Sequence, residues 1–415
     1  MHITTLDDID VANKTVLLRV DINSPIDRQT GRIADDNRLN KSLPTISDLA
    51  EAGAKVVIIA HQGDTLDYHN LVSLREHADQ LAAKLGRPVG FIDDVAGPAA
   101  RTAIAGLAAG QILLLENIRI LTEEVSSFEN VVKLSAAEMA NTYLVRNLAP
   151  LMDFYVNDAF AAAHRNAPSL VAFQEVLPTA GGRLLVDEVT ALSGVAEDPG
   201  RPCVFLLGGL KISDAFSMMA KVLSDGTADE VLTTGITANI MLMAQGVDLG
   251  APSTSFITDR GLESFLPTAV EWLADYGDRI RVPVDLAFAV GDVRHEVAVA
   301  DLPVAELLID VGSETAAAYE EVIRDAATVF VNGPAGMYES PAGEVGTRAL
   351  WEAVAASAGH SVIGGGDTVA SARRFVDISQ IGFVSTGGGA LVRFLSGQKL
   401  PLLEAMQSAA RRELQ

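Results

Sequence analysis

The chain has 415 residues, of which 49% are hydrophobic and 20% charged, with a mean hydropathy of +0.26. This excludes a disordered chain, and no run approaches the roughly 18 apolar residues of a membrane span, so a soluble protein of two domains is expected. The 54 acidic against 31 basic residues give a net charge of −23, which repels nucleic-acid phosphates and anionic lipid, so any anionic ligand must be held by a local cluster of Arg, Lys and helix N-termini.

The N-terminus, MHITTLDDID, is acidic and lacks the apolar core of a signal peptide, which predicts a cytoplasmic protein. Next, TVLLRVDI reads as a strand, followed by a helix through Ile46 and Leu49, the strand KVVIIAHQG and the helix LREHADQLAAKLG. The runs VGFIDDV, QILLLEN and DFYVND continue this strand–helix rhythm of a parallel sheet, each ending in polar residues where a strand leaves the sheet. The pattern pauses in VLPTAGGRLL near Pro178, and a helix from about Arg183 to Leu192 leads into the turn-rich AEDPGRP, the expected connection between domains. A second series follows: PCVFLLGG, EVLTTG, RVPVDLAFAV, TVFVNGP, HSVIGGGD and IGFVSTGGG, with helical segments between. The single cysteine, Cys203, lies in the first of these runs, so no intrachain disulfide or thiolate metal site exists and a buried thiol is expected. The last stretch, LPLLEAMQSAARRELQ, reads as an amphipathic helix after Pro401 with Leu402, Leu403, Met406 and Ala409 on one side. No internal repeat is visible, so the fold class is α/β: two doubly wound parallel-sheet domains, 1–176 and 177–399, the second including a hinge helix at about 181–193.

Glycine clusters follow four apolar strands: Gly208-Gly209, Asn332-Gly333-Pro334, Gly364-Gly365-Gly366-Asp367-Thr368 and Ser385-Thr386-Gly387-Gly388-Gly389. Backbone amides freed by glycine at a helix start cradle phosphate, and several such turns on one sheet edge predict a polyphosphate site. Neither GxxxxGK[ST] nor a clean GxGxxG occurs, so this is another nucleotide-binding solution. Asp367 is placed either to hold Mg²⁺ against phosphates or to cap a helix. Glu339 either accepts ribose hydroxyls or faces solvent. Lys211, after GGL, adds a mobile cation to the phosphate-binding amides or is a solvated surface lysine. The first domain instead offers Arg38, Arg119 and Arg165, with His61 and His164, near strand ends. Converging arginines bind anions, and Asp21 and Asn23 in RVDINSP suit hydroxyl groups, so a small, hydroxylated, multiply negative acid is the expected ligand, each Arg or His alone being open to a structural role. No metal-protease spacing and no GxSxG elbow occurs.

Taken in order, RVDINSP, DDNRLNKSLPTI, AHQG, LLLENIR, YVNDAFAAAHR, LGGLKISD, DVGSET, VNGPAGMYE, IGGGDT and VSTGGGA resemble the phosphoglycerate kinase family, and its archaeal branch in particular, over nearly the whole chain. The resemblance implies two Rossmann-like domains joined by a hinge, with 400–415 packing back on the first, and reversible phosphoryl transfer between 1,3-bisphosphoglycerate and MgADP, in line and after domain closure. It places phosphoglycerate on Asp21, Asn23, Arg38, His61, Arg119 and Arg165. It places the nucleotide on Gly209, Lys211, Asn332, Pro334, Glu339, Gly364, Gly365, Gly366, Asp367 and Thr368, with Mg²⁺ on Asp367. Arg38, Lys211 and the amides of Gly365, Gly366, Gly388 and Gly389 would neutralise the phosphoryl oxygens in flight, with Gly366 and Gly389 counted among the catalytic groups. It also implies an enzyme of glycolysis and gluconeogenesis whose partners are small molecules, not nucleic acid or membrane, acting as a monomer or, as the alternative, a homodimer.

Two departures stand out. An arginine that usually follows three residues after the His61 equivalent is here Asp64, in His61-Gln62-Gly63-Asp64, and a second lysine four residues after Lys211 is here Ala215. Exchanging a phosphate-binding arginine for an aspartate removes a bond worth about 1.5–3 kcal/mol and adds repulsion, so two alternatives stand beside the main reading: a kinase of the same architecture acting on another carboxylic acid, and a nucleotide-binding protein without turnover.

Overall fold

The computed structural model describes residues 3–64 and 66–413. Met1, His2, Thr65, Leu414 and Gln415, which fall within the expected domain ranges, lie outside the described residues. The chain separates into two compact units, Met1–Thr190 with Lys399–Gln415, and Ala191–Gln398.

Six strands form the sheet of the first unit: β1 Thr15–Arg19, β2 Lys55–Ile59, β3 Val89–Ile92, β4 Ile112–Leu115, β5 Phe154–Asn157 and β6 Thr179–Gly181. All pairs are parallel, in the order β3-β4-β2-β1-β5-β6. Val16, Leu17, Leu18, Val56, Val57 and Ile58 are fully buried, as strands covered by helices on both faces must be. One layer buries Leu17, Val57, Tyr155 and Phe173, and the other Leu18, Ile58, Ile46 and Leu81. From β1 the chain moves to β2 on one side, and from β5 to β6 on the other. Divergence of this kind opens a crevice at the carboxyl ends of β1 and β5. Because β6 pairs with β5, the first unit runs past the boundary expected at 176. The helix Arg183–Glu197 is also longer than its apolar pattern suggested. Helix Pro401–Glu413 belongs to the first unit, where Ala405 enters the core, Leu402 N–H donates to the Ala163 carbonyl at 3.3 Å and Arg412 donates to the Gln174 carbonyl at 2.6 Å.

The second unit carries β7 Cys203–Leu207, β8 Glu230–Thr233, β9 Ile280–Arg281, β10 Asp285–Val290, β11 Val293–Ala298, β12 Leu308–Val311, β13 Thr328–Asn332, β14 His360–Ile363 and β15 Phe383–Val384. Six of these make a parallel sheet, β15-β14-β13-β7-β8-β9, and the other three an antiparallel sheet, β11-β10-β12. The run RVPVDLAFAV, expected as one strand, is thus divided between two sheets at Pro283, whose ring removes the N–H that a continuous ladder needs. Cys203 is fully buried and burial pushes its thiol up to about 12, so it is an inert core residue. No helix among the described residues is long and apolar enough to cross a membrane.

Candidate functional site

In the second unit the chain leaves β7 for β8 on one side and β13 for β14 on the other, which places the switch point of the parallel sheet between β7 and β13. There the two glycine turns touch: Gly208 N–H donates to the Asn332 carbonyl at 2.9 Å and Gly209 N–H to the Pro334 carbonyl at 2.8 Å. A side chain on Gly333, at φ +89°, would collide with the Gly208 carbonyl. The glycines of these two turns therefore permit backbone to approach backbone, and the Gly209 amide is spent within the protein.

The turn after β14 is built differently. Gly365, at φ +99°, caps the helix Gly366–Phe375, whose first amides have no intrahelical acceptor. Asn332 Nδ2 donates to the Gly364 carbonyl at 2.9 Å, and Gly333 N–H donates to Thr368 Oγ1 at 2.8 Å. Asn332 and Thr368 thus fasten neighbouring turns together. Gly364 is buried where a side chain would strike Leu391; of the ten residues on which the nucleotide was expected, it alone does not line the cavity described next.

A cavity of about 600 Å³ opens at these strand ends and is lined by Gly209, Lys211, Asn332, Pro334, Glu339, Gly365, Gly366, Asp367, Thr368, Gly388 and Gly389. Its other end is apolar, with Ile236, Phe256, Leu286, Leu307 and Leu308, and the Arg260 guanidinium lies 3.7 Å from the centre of the Phe256 ring. These residues were missed from sequence. Leu286 and Leu308 belong to the antiparallel sheet, Phe256 to the helix Ala251–Thr258 and Ile236 to the helix Gly235–Ala244, with Leu307 and Arg260 just outside β12 and the Ala251–Thr258 helix, none of which a motif marked. An apolar end and an amide-rich end suit a base and its phosphates respectively. Lys211 Nζ stands 4.0 Å from Asp367 Oδ2, both side chains about 70% exposed. Among the described residues no group of three or more His, Cys, Asp or Glu could cage a metal. The lone Asp367 instead fits a cation shared with phosphate oxygens, the usual arrangement for Mg²⁺. Ala215 is buried in the helix Ile212–Ser224, facing the core.

The arginines of the first unit gather at the carboxyl ends of its strands. Arg38 Nη1 donates to Asp21 Oδ1 at 2.7 Å, and Asn23 N–H donates to the same oxygen at 3.1 Å. Burial opposes the charge on Asp21, but Arg38, Arg19 and the Asn23 N–H overcome it and hold the carboxyl far below its usual range. Arg19, which the sequence left unremarked, is 2% exposed; its Nη2 donates to His61 Nδ1 at 3.0 Å and its Nε to Ser169 Oγ at 3.2 Å. Burial first, and then the nearby arginines, lower the His61 pKa well below the usual value. His61 is therefore neutral, and because guanidinium can only donate, the ring proton lies on Nε2. Arg119 and Arg165 converge on Asp64, which also accepts from the Ser126 hydroxyl. Of the six first-unit candidates, Asp21, Asn23, Arg38 and His61 are linked around β1 and β2, with Gly63 N–H donating to Asn23 Oδ1 at 3.0 Å, while Arg119 and Arg165 form a fork around Asp64. His164, half-buried, directly precedes Arg165.

Comparison with known proteins agrees with this architecture at full length. The sequence model of the family described as phosphoglycerate kinase matches residues 6–398. Phosphoglycerate kinase of Methanothermobacter thermautotrophicus is 43% identical, covering 98% of this chain and 97% of that protein, and that of Halobacterium salinarum is 44% identical, covering 98% and 100%. The crystal structure of phosphoglycerate kinase from Pyrococcus horikoshii superposes with a TM-score of 0.89 at 37% identity, covering 99% of this chain and 100% of that one. With two parallel sheets, glycine turns at one sheet edge and likeness across almost every residue, the chain belongs to the phosphoglycerate kinase family.

Proposed function

We propose that the protein transfers a phosphoryl group reversibly between 1,3-bisphosphoglycerate and MgADP, yielding 3-phosphoglycerate and MgATP. The observation that carries this reading is the glycine-lined cavity, where Lys211, Asp367 and the helix starting at Gly366 meet, in a chain similar to phosphoglycerate kinases end to end. The base would occupy the apolar end of the cavity and the phosphates would lie against Gly365, Gly366, Gly388 and Gly389. Asp367 would hold Mg²⁺, which neutralises charge between adjacent phosphate groups when bound. Lys211 would follow the transferring phosphoryl group.

In the first unit, Arg38, Arg119 and Arg165 would bind the acid's charges and the Nε2–H of His61 would donate one neutral hydrogen bond. Asp21, kept ionised, would orient Arg38 and accept directly from a substrate hydroxyl, with Asn23 held beside it by its N–H to Asp21. No residue serves as a covalent nucleophile, because phosphoryl transfer asks for alignment and charge neutralisation. The reading carries a cytoplasmic enzyme, a monomer with a homodimer as the alternative, and the net charge of −23 supports the absence of nucleic-acid and anionic-membrane partners.

Initial rates with MgATP and 3-phosphoglycerate, read by coupled oxidation of a nicotinamide reporter, test it. Saturable turnover with millimolar or lower KM is expected. Turnover only with another carboxylic acid, or nucleotide binding by calorimetry with no phosphoryl exchange in either direction, would overturn it.

A further inference from the structure

We propose that Asp64 is a built-in occupant of the anion seat formed by Arg119 and Arg165, a carboxylate of the protein's own chain that the substrate's phosphate must displace. This rests on the reading above, in which those arginines receive the phosphorylated acid, and it concerns how strongly and how selectively they do so.

The chain is anchored up to the point where Asp64 begins. Gln62 is buried and held on several sides: its Oε1 accepts from Ser24 N–H at 2.8 Å, its Nε2 donates to the Ser24 and Asn70 carbonyls at 2.8 and 3.0 Å, and its N–H donates to Asn117 Oδ1 at 3.1 Å. Gly63, at φ +69°, is pressed so closely against Asn70 and Leu71 that a side chain has no room. This turn aims Asp64 at the fork. One oxygen, Oδ2, is contacted by Arg119 Nη1 and the Ser126 hydroxyl, and Arg165 Nη1 lies 3.8 Å away. Arg165 also faces Glu129 at 3.9 Å and donates from Nη1 to the Ser126 hydroxyl oxygen. Arg119 is 4% exposed and Asp64 21%, so the contact is sheltered from screening.

Both guanidinium groups are therefore neutralised before any ligand arrives. An incoming anion gains only the difference between its own bonds and those of Asp64. A monoanion brings about the same charge as the carboxylate it replaces and gains little, whereas a phosphate dianion carries more charge and three acceptor oxygens, so it wins the exchange. The apparent affinity falls by the fraction of molecules in which the seat is open. Asp64 thus lowers affinity for all anions and filters in favour of phosphate over carboxylate.

Inorganic phosphate titrated by calorimetry at low ionic strength is the probe, since its binding does not depend on which acid is the substrate. Asp64→Asn keeps the size of the side chain and removes its charge; Asp64→Ser is a second variant should Asn unsettle the fold, which thermal melting reports. Asp93→Asn, at an exposed acid outside the fork, removes one charge as the control. Phosphate affinity rising about tenfold in either Asp64 variant, with the control like wild type, is the expected result. Unchanged or weaker binding overturns the inference, as does an equal gain in the control. Lack of turnover on 3-phosphoglycerate together with a gain in phosphate affinity would overturn the proposed reaction and leave the role of Asp64 standing.

Discussion

Single residues in this protein divide into those whose chemistry depends on exposure and those whose chemistry depends on its absence. Lys211 is about 70% exposed and capped by no packing, so its replacement touches charge and little else. Lys211→Met is expected to lower kcat at least a hundredfold, within the range for removing a group that neutralises a developing charge, while the melting temperature stays within 1 or 2 °C by differential scanning calorimetry, about the shift that small surface changes give. Glu124 is the opposite case. Burial pushes its carboxyl up to about 7, against the opposing pull of the Ser169 hydroxyl and N–H, at 2.7 Å each, and of Arg19. The folded protein then keeps a proton that the unfolded chain releases near its ordinary value of 4.5. The stability this supplies is full below about pH 4.5 and disappears as pH rises to about 7, with a slope of up to about 1.4 kcal/mol per unit. Glu124→Gln, which cannot titrate, should remove that slope: wild type loses up to about 3 kcal/mol relative to the variant between pH 4.5 and 7, read from urea midpoints at half-unit steps. A difference that stays flat or grows with pH would contradict the sign. At this scale the sequence exposed much of the site but not its state. Arg38, Arg119 and Arg165 stand out because arginine is conspicuous at strand ends, whereas Arg19 hides within TVLLRV as a strand residue, and nothing in the spacing reveals that Asp64 meets Arg119 across 55 positions.

Elements show why some turns could be read and others could not. The four glycine clusters announce themselves because each follows an apolar run, but their uses differ once folded: the β7 and β13 turns serve backbone contact, while the β14 turn opens a helix. Gly333→Ala tests the first use. At φ +89° a side chain is strained, and its Cβ meets the Gly208 carbonyl, so a loss of about 1–3 kcal/mol in stability is expected together with weaker nucleotide binding, by urea unfolding and calorimetry respectively. A variant as stable as wild type would mean that the β7 and β13 turns are not pressed together in solution. The β10–β11 hairpin was missed although its signal was present: Gly291-Asp292, with Gly291 at φ +60°, joins two runs that pair from Asp285 with Ala298 to Val290 with Val293, and a two-residue Gly-Asp link of this kind favours a hairpin. Strand β6 had no such marker. It has three residues, ends in Gly181 and takes its place in the sheet from pairing with β5, a contact set by tertiary structure rather than by local pattern.

The whole molecule carries a contradiction between its field and its ligand. A net charge of −23 and a pI of about 4.6 mean that carboxylates repel one another in the folded state and repel incoming phosphates as well. Salt acts on both repulsions and also on the attraction of the arginine cluster for the acid, and their ranges differ. The Debye length shrinks from about 10 Å at 0.1 M to about 3 Å at 1 M, which quenches interactions spread over the surface but leaves short, sheltered contacts such as Arg38 with Asp21 at 2.7 Å largely intact. Stability should therefore rise with KCl between 0.1 and 1 M, as a melting temperature several degrees higher, because dispersed like charges dominate the folded surface. Affinity for the acid should move the other way, since the partly exposed Arg38 and Arg165, at 33% and 29%, must exchange screening ions for substrate: KM for 3-phosphoglycerate is expected to rise severalfold over the same range. A KM that falls over the same range would mean that long-range repulsion of the ligand outweighs the attraction of the arginines around β1, β4 and β5, and a melting temperature that falls would mean that ion pairs hold the folded surface together more than dispersed like charges strain it.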